Sequence, residues 1–251
     1  MTDINVKNKM QKLNLWGMLD LYDHRLEQAM KEQWSHSLFL DILLTDAIEK
    51  KNHKQLTLRL AKSHLDVSKT LETFDFKRKD LVVPVGLIRE LSTCGFIEKK
   101  QNVFIFGKSG LGKSHIAQAI GLQACRQGHD VLFQCAQELM SWIYAGIGDG
   151  TRTKRIFQII KTPLLIIDDF GLQELTIEQQ KDLYRIIAER YEKKSIILTT
   201  NRAIEEWPGI FSNTLVGSAA VDRLVHRGIE VFLDGPSHRF EEYKKGCKSK
   251  L

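Results

Sequence analysis

A chain of 251 residues with 43% apolar side chains can bury a sizeable core, as one large domain or as a small domain joined to a medium one. Its formal charge of +6 is a mild basic excess, compatible with a polyanionic partner but too small to demand one. Cys94, Cys125, Cys135 and Cys247 lack Cys-x-x-Cys spacing and no paired histidines accompany them, which argues against a zinc framework and for a reduced, cytoplasmic compartment.

In chain order, apolar residues fall at helical spacing through Leu15, Met18, Leu19, Tyr22, Leu26, Ala29 and Met30, and again through Phe39, Ile42, Leu43 and Ala47. A third set, Leu56, Leu60, Ala61 and Leu65, follows the polar run Lys50-Lys51-Asn52-His53-Lys54, which either breaks a helix or decorates its solvent side. The expectation is a small all-helical N-terminal domain over 1–66, for DNA or partner binding. A connector follows over 67–85, where Phe74 and Phe76 would pin it to a neighbouring surface. The apolar stretch from Leu81 to Ile88 is broken by Pro84 and Gly86 and is too short for a bilayer, and no signal layout opens the chain, so no membrane partner is expected.

From Val103 the pattern alternates. Val103-Phe104-Ile105-Phe106 reads as a buried strand and empties into Gly107-Lys108-Ser109-Gly110-Leu111-Gly112-Lys113-Ser114, after which Ile116, Ala117, Ala119 and Ile120 begin a helix. Gly, four residues, Gly, Lys, then Ser or Thr is the P-loop pattern. Its backbone N–H groups wrap phosphate oxygens, so side chains at the bends would obstruct it, and the helix start adds unpaired N–H groups and a positive dipole end. Lys113 would reach the β- and γ-phosphates and the Ser114 hydroxyl would ligate Mg²⁺.

Strands follow at 130–135, 164–167, 195–199 and 229–233, with helices around 136–145, 152–160 and 177–191 between them. That interleaving predicts an α/β domain with a mainly parallel sheet over 86–251. Leu164-Leu-Ile-Ile-Asp168-Asp169 would carry two carboxylates to the carboxyl edge of that sheet, Asp168 for Mg²⁺ and Asp169 to orient or deprotonate a water. Ile196-Ile-Leu-Thr-Thr200-Asn201 ends in polar side chains, and Asn201 either bridges the γ-phosphate to that water or forms a turn.

This ordered set resembles the AAA+ P-loop ATPases, with Walker A at Gly107–Ser114, Walker B at Leu164–Asp169 and sensor 1 at Asn201. Within them the chain is similar to the IstB-like transposition helpers and their relatives, the DnaC-type helicase loaders. The resemblance runs from Leu13 to Arg239. It is carried by Cys94-Gly-Phe-Ile-Glu, Gly110-Leu-Gly-Lys-Ser-His-Ile-Ala, Ile166-Ile-Asp-Asp-Phe-Gly and Val221-Asp-Arg-Leu-Val-His-Arg, with Leu15-Trp-Gly-Met-Leu-Asp in the helical part.

The resemblance implies ATP and Mg²⁺ as cofactors, an arginine finger at Arg223 reaching a neighbouring subunit, with Arg227 as its rival, and a sensor-2 contact from Arg239. It also implies that the stretch holding Arg152, Lys154 and Arg155 faces DNA, through phosphates and without sequence choice. Two departures stand out. Lys108-Ser109 replaces the prolines frequent in relatives, and Asp169 replaces the Glu of many AAA+ proteins, a shortening that suits slow turnover. The function implied is an ATP-dependent helper that oligomerises on duplex DNA as a ring or spiral and recruits its cognate transposase. The alternative is a replicative helicase loader. A small-molecule kinase would have no use for Asn201 or Arg223.

Overall fold

The computed structural model describes residues 2–238 and 240. The chain divides into two compact units that meet in sequence between Leu58 and Arg59. In the first unit, α1 (Thr2–Lys12), α2 (Trp16–Lys31) and the first part of α3 (His36–Ser63) pack around Met10, Met18, Tyr22 and Leu43. Gly17 lets α2 approach α3 closely, since a Cβ there would lie 2.8 Å from the Ala47 Cα. The Arg25 guanidinium forks onto both Asp46 oxygens at 2.7 and 2.9 Å and holds that carboxyl below the usual carboxylate range. The polar run 50–54 lies inside α3, which continues through it unbroken. Lysine propagates a helix well, and an exposed face needs no apolar partner.

Residues 64–84 of the second unit contain no helix and only the single antiparallel bridge Val82–Asp234. After α4 (Val85–Ser92) and the short α5 (Gly95–Glu98) comes β1 (Val103–Phe106), whose four residues are all buried. Then follow α6 (Lys113–Arg126), β2 (Val131–Cys135), α7 (Ala136–Ala145), α8 (Arg152–Lys161), β3 (Leu164–Asp168), α9 (Ile177–Arg190) and β4 (Ser195–Thr200). A 3-10 helix (Ile204–Ile210), α10 (Thr214–Val225) and β5 (Ile229–Phe232) complete the described elements.

The five strands form one parallel sheet in the order β2-β3-β4-β1-β5. The chain starts in β1, crosses to the β2 edge, returns strand by strand to β4 and then passes to the far side of β1. Two strands adjacent in space but distant in sequence, β1 and β4, therefore lie side by side, with Phe106 opposite Thr200. At such a switch point the connections leave in opposite directions and open a crevice beyond the carboxyl ends.

The sheet packs on a core that includes Leu139, Ile143, Ile156, Ile159, Leu183 and Ile186 from the helices. Trp207 of the 3-10 helix fills the space between Phe104, Phe106 and Phe170, with ring centroids 5.2 to 6.0 Å apart. At the opposite end of the sheet, the buried Asn102 donates to the Leu224 carbonyl at 2.8 Å and accepts from Ile196 N–H at 2.9 Å, fastening β4 and α10 to the start of β1.

Candidate functional site

The P-loop leaves β1 at Gly107 and runs to Gly112, after which its Lys113 and Ser114 open α6. Gly107, Gly110 and Gly112 have φ of +151°, +80° and +92°, the region that penalises any L side chain. Space closes the same positions. A Cβ would lie 2.6 Å from the Leu233 carbonyl oxygen at Gly107, 2.2 Å from Ser237 Oγ at Gly110, and 2.5 Å from the Phe74 ring at Gly112. Leu111 points into the core, whereas Lys108 and Ser109 are exposed, so the residues that replace prolines take nothing from the loop interior. Lys113 is only 6% exposed, and its Nζ donates to the Lys108 carbonyl at 3.1 Å across the loop.

A cleft of about 370 Å³ opens over this loop and is lined by Ser109 to His115, by Lys69, Thr73, Phe74, Asp75 and Arg78 of the segment before α4, and by Asp169 and His238. The aromatic pair Phe74–Phe76 has a definite seat. Phe74 packs edge-on to Phe76 at 4.7 Å and to His115 at 5.3 Å. The His115 Nε2–H donates to the Thr70 carbonyl at 2.7 Å, which sets the tautomer. Arg78 donates to the Pro236 carbonyl at 2.7 Å, and His238 N–H donates to the Gly110 carbonyl at 3.0 Å. The loop is thus held between a segment that precedes it by some thirty residues and one that follows it by more than a hundred. Phe74 and Phe76 do pin this segment to a neighbouring surface, and that surface is the P-loop and the start of α6, which spacing in the chain does not name.

The second half of the site is the turn after β3. Asp169 takes φ +54°, left-handed for a residue with a side chain. Its N–H donates to Thr199 Oγ1 at 3.0 Å, and the Thr199 hydroxyl donates to Asp168 Oδ1. Phe170 N–H donates to the Thr199 carbonyl at 2.8 Å, and the Thr200 hydroxyl donates to the Phe170 carbonyl at 2.9 Å. Thr199 is a member of the site that motif reading passes over. Its only signal is a hydroxyl in the apolar run Ile196–Leu198, one strand away from the acids.

The other candidates are more scattered. Asn201 is the exposed residue directly after β4, at the same edge as the aspartates. Arg223 and Arg227 do not line the cleft of their own chain: Arg223, on α10, bonds the Ala219 carbonyl at 2.8 Å and lies over the Tyr184 ring at 5.6 Å. Arg239 lies outside the described residues, as does Cys247. Arg152 forks onto Asp182 at 2.9 and 3.1 Å and reaches Glu178 at 3.3 Å, while Arg155 engages Asp149 at 2.6 Å and the Trp142 ring at 5.2 Å. Lys154 is exposed between them.

The donor set suits a Mg²⁺–nucleotide. The glycine-rich loop ahead of α6 can supply backbone N–H groups to phosphate, and Ser114 and Asp168 offer the hard oxygen ligands that Mg²⁺ takes alongside water and phosphate. Among the described residues no helix is long and apolar enough to cross a membrane, and no group of three His, Cys, Asp or Glu could hold a metal by itself.

The sequence profile described as IstB-like ATP binding protein matches residues 8–246. A protein of Mycobacterium tuberculosis named as an insertion-sequence ATP-binding protein is 34% identical over 238 residues, which is 94% of each chain. One of Geobacillus stearothermophilus, named for insertion sequence IS5376, is 34% identical over 231 residues and 92% of each chain. Among solved structures, AMPPCP-bound DnaA from Aquifex aeolicus superimposes with a TM-score of 0.56 at 25% identity, over 74% of this chain and 57% of that one. The chain thus spans little more than half of that initiator. The DnaC helicase loader gives a TM-score of 0.52 at 22% identity over 60% of this chain and 88% of that one, a likeness of fold alone. Agreement at about one residue in three along nearly the whole length is a stronger statement than the shared fold, and by it the chain belongs to the IstB-like ATP binding proteins, built on the AAA+ P-loop fold.

Proposed function

We propose that this protein is an ATP-hydrolysing helper of its insertion sequence, which assembles on duplex DNA in the ATP state and recruits and stimulates the cognate transposase. The observation that carries this reading is the pairing of a complete P-loop and Asp168–Asp169 at one sheet edge with near full-length relatives named for insertion sequences. Those relatives favour a transposition role over a helicase loader, to which the likeness is one of fold. DNA as partner draws support from the mild positive charge and from DnaA, whose structure is known with AMPPCP and single-stranded DNA.

In this reading the loop N–H groups and the Lys113 ammonium hold the β- and γ-phosphates. Ser114 and Asp168 would hold Mg²⁺, which would neutralise phosphate charge. Asp169, with Asn201, orients a water in line with the γ-phosphate and takes its proton. Arg223 comes from the neighbouring subunit and places its planar charge where the γ-phosphoryl group becomes more negative, while Arg239 contacts the phosphates of its own subunit. Asp169 is one methylene shorter than Glu, which keeps the carboxylate farther from the water, so turnover is slow. A slow clock suits a protein whose ATP state is assembled and whose ADP state falls apart.

The test is assembly. Sedimentation of the protein with duplex DNA should show large complexes with ATP and none with ADP, and Lys113→Ala should abolish them. Complexes indifferent to nucleotide, or a monomer at saturating ATP and DNA, would overturn the proposal.

A further inference from the structure

We propose that Thr199 is a positioning residue for hydrolysis: one buried hydroxyl ties the metal-ligand candidate Asp168 to the water-orienting candidate Asp169, so that their placement depends on each other. The proposal rests on the ATPase reading above.

Thr199 is fully buried, at 0% exposure, in a strand whose preceding residues Ile196–Leu198 are apolar. A buried hydroxyl is unfavourable there unless it is paired, and this one is paired in both of its capacities. Its single proton goes to Asp168 Oδ1, and its lone pair receives the Asp169 N–H at 3.0 Å. The position explains why a side chain is needed. The regular ladder between β3 and β4 has its last pair at Ile167 and Leu198. Beyond it, Asp169 turns to φ +54° and the Thr199 hydroxyl takes over from the backbone as its partner. The Thr199 carbonyl then receives the Phe170 N–H at 2.8 Å, so three consecutive residues, 168 to 170, are fastened to this one threonine.

Two consequences follow for chemistry. The bond from the hydroxyl to Oδ1 restrains rotation of the Asp168 carboxylate, which fixes the direction its remaining lone pairs present to a cation. With its N–H held, Asp169 keeps the left-handed turn at the edge of the P-loop cleft, which it lines together with Ser114. An Asp in that conformation relaxes once its anchor is removed.

The experiment compares Thr199→Val, which fills the same space without a hydroxyl, with Thr199→Ser, which keeps it. Two quantities are read: the Mg²⁺ concentration for half-maximal ATP turnover, and the extra rise in melting temperature that Mg²⁺ adds to a non-hydrolysable ATP analogue. Thr199→Val should raise the half-maximal Mg²⁺ concentration and lower kcat, each by about 10-fold or more, with KM for ATP at saturating Mg²⁺ within about 2-fold, as for partners that orient metal ligands. The added melting rise should vanish, and Thr199→Ser should restore both readouts to within about 3-fold of the starting protein. A purely structural threonine would lower the melting temperature of Thr199→Val and leave its Mg²⁺ dependence unchanged, which would overturn the proposal. If Thr199→Val does not fold, Thr199→Cys, a far weaker hydrogen-bonding group, replaces it and should raise the half-maximal Mg²⁺ concentration above that of Thr199→Ser, an unchanged value overturning the proposal. Failure of the ATPase reading is distinct, since the unmodified protein would then show no Mg²⁺-dependent turnover or nucleotide binding, with no variant needed.

Discussion

Arg190 is the most deeply buried cation among the described residues, at 1% exposure, and it meets no carboxylate. Its guanidinium instead donates to the carbonyls of Ile159, Thr162 and Ser195 at 2.6, 2.7 and 2.6 Å, with longer bonds to Ile160 and Pro163. Those oxygens are the unpaired end of α8 and the approaches to β3 and β4, which water would otherwise have to reach. Burial lowers its pKa to about 9, so the group remains charged at neutral pH, with carbonyl dipoles around it in place of a counter-ion. Arg190→Met would remove the donor that covers the carbonyls at the end of α8, and urea unfolding should show a loss of about 2–4 kcal/mol, among the larger single-residue effects expected here. Arg190→Lys should recover only part of it, because one ammonium cannot cover the same fork. The sequence offers no hint of this role: a basic residue at a helix end ordinarily reads as a solvated partner of the helix dipole.

At the scale of an element, α8 bears on the DNA question. Its first turn carries Arg152, Lys154 and Arg155, cations where the helix dipole prefers acids. The structure supplies a local reason for two of them: Arg152 ties α8 to α9 through Asp182, and Arg155 ties it to Asp149 and Trp142. Hydrogen bonds from Thr151 and the Arg155 charge hold Asp149 below the usual carboxylate range. A DNA phosphate would have to compete with those acids for Arg152 and Arg155, whereas Lys154, the third cation of this turn, is exposed. If this turn meets DNA, Lys154→Ala should weaken binding on all sequences alike and reduce the slope of log affinity against log salt by about 1. Arg152→Ala should instead show itself mainly in thermal unfolding. Equal salt slopes for Lys154→Ala and the unmodified protein would remove α8 from the DNA surface.

For the whole molecule, the sheet order decides what can act on what. Crossing from β1 to the β2 edge and back gathers the carboxyl ends of β1, β3 and β4 into one crevice, which is why loop glycines and acids sixty residues apart meet there. Arg223 is on α10, against Tyr184 of α9, and does not line the P-loop cleft of its own chain. The role in trans proposed for it predicts complementation. Lys113→Ala and Arg223→Ala should each be inactive alone as ATPases, and a mixture of the two should recover a measurable fraction of turnover, because some interfaces pair an intact P-loop with an intact arginine. No recovery at any mixing ratio would place Arg223 in cis or outside the reaction.

The nucleotide half of this protein was legible in its residues because P-loop chemistry is local: glycine backbone freedom, a lysine and a hydroxyl must follow one another within a single turn, and an apolar strand must carry its acids directly at its end. Alternation of strands and helices similarly announced the parallel sheet. Whether Lys50–Lys54 interrupts a helix, which surface Phe74 seats on, and which hydroxyl holds the aspartates were decided only by folding. Those answers depend on partners dozens of residues away, and a buried hydroxyl or guanidinium has no meaning until the strand or carbonyl beside it is known. Local chemistry is written in spacing, whereas positioning is a property of neighbours that only the tertiary structure brings together.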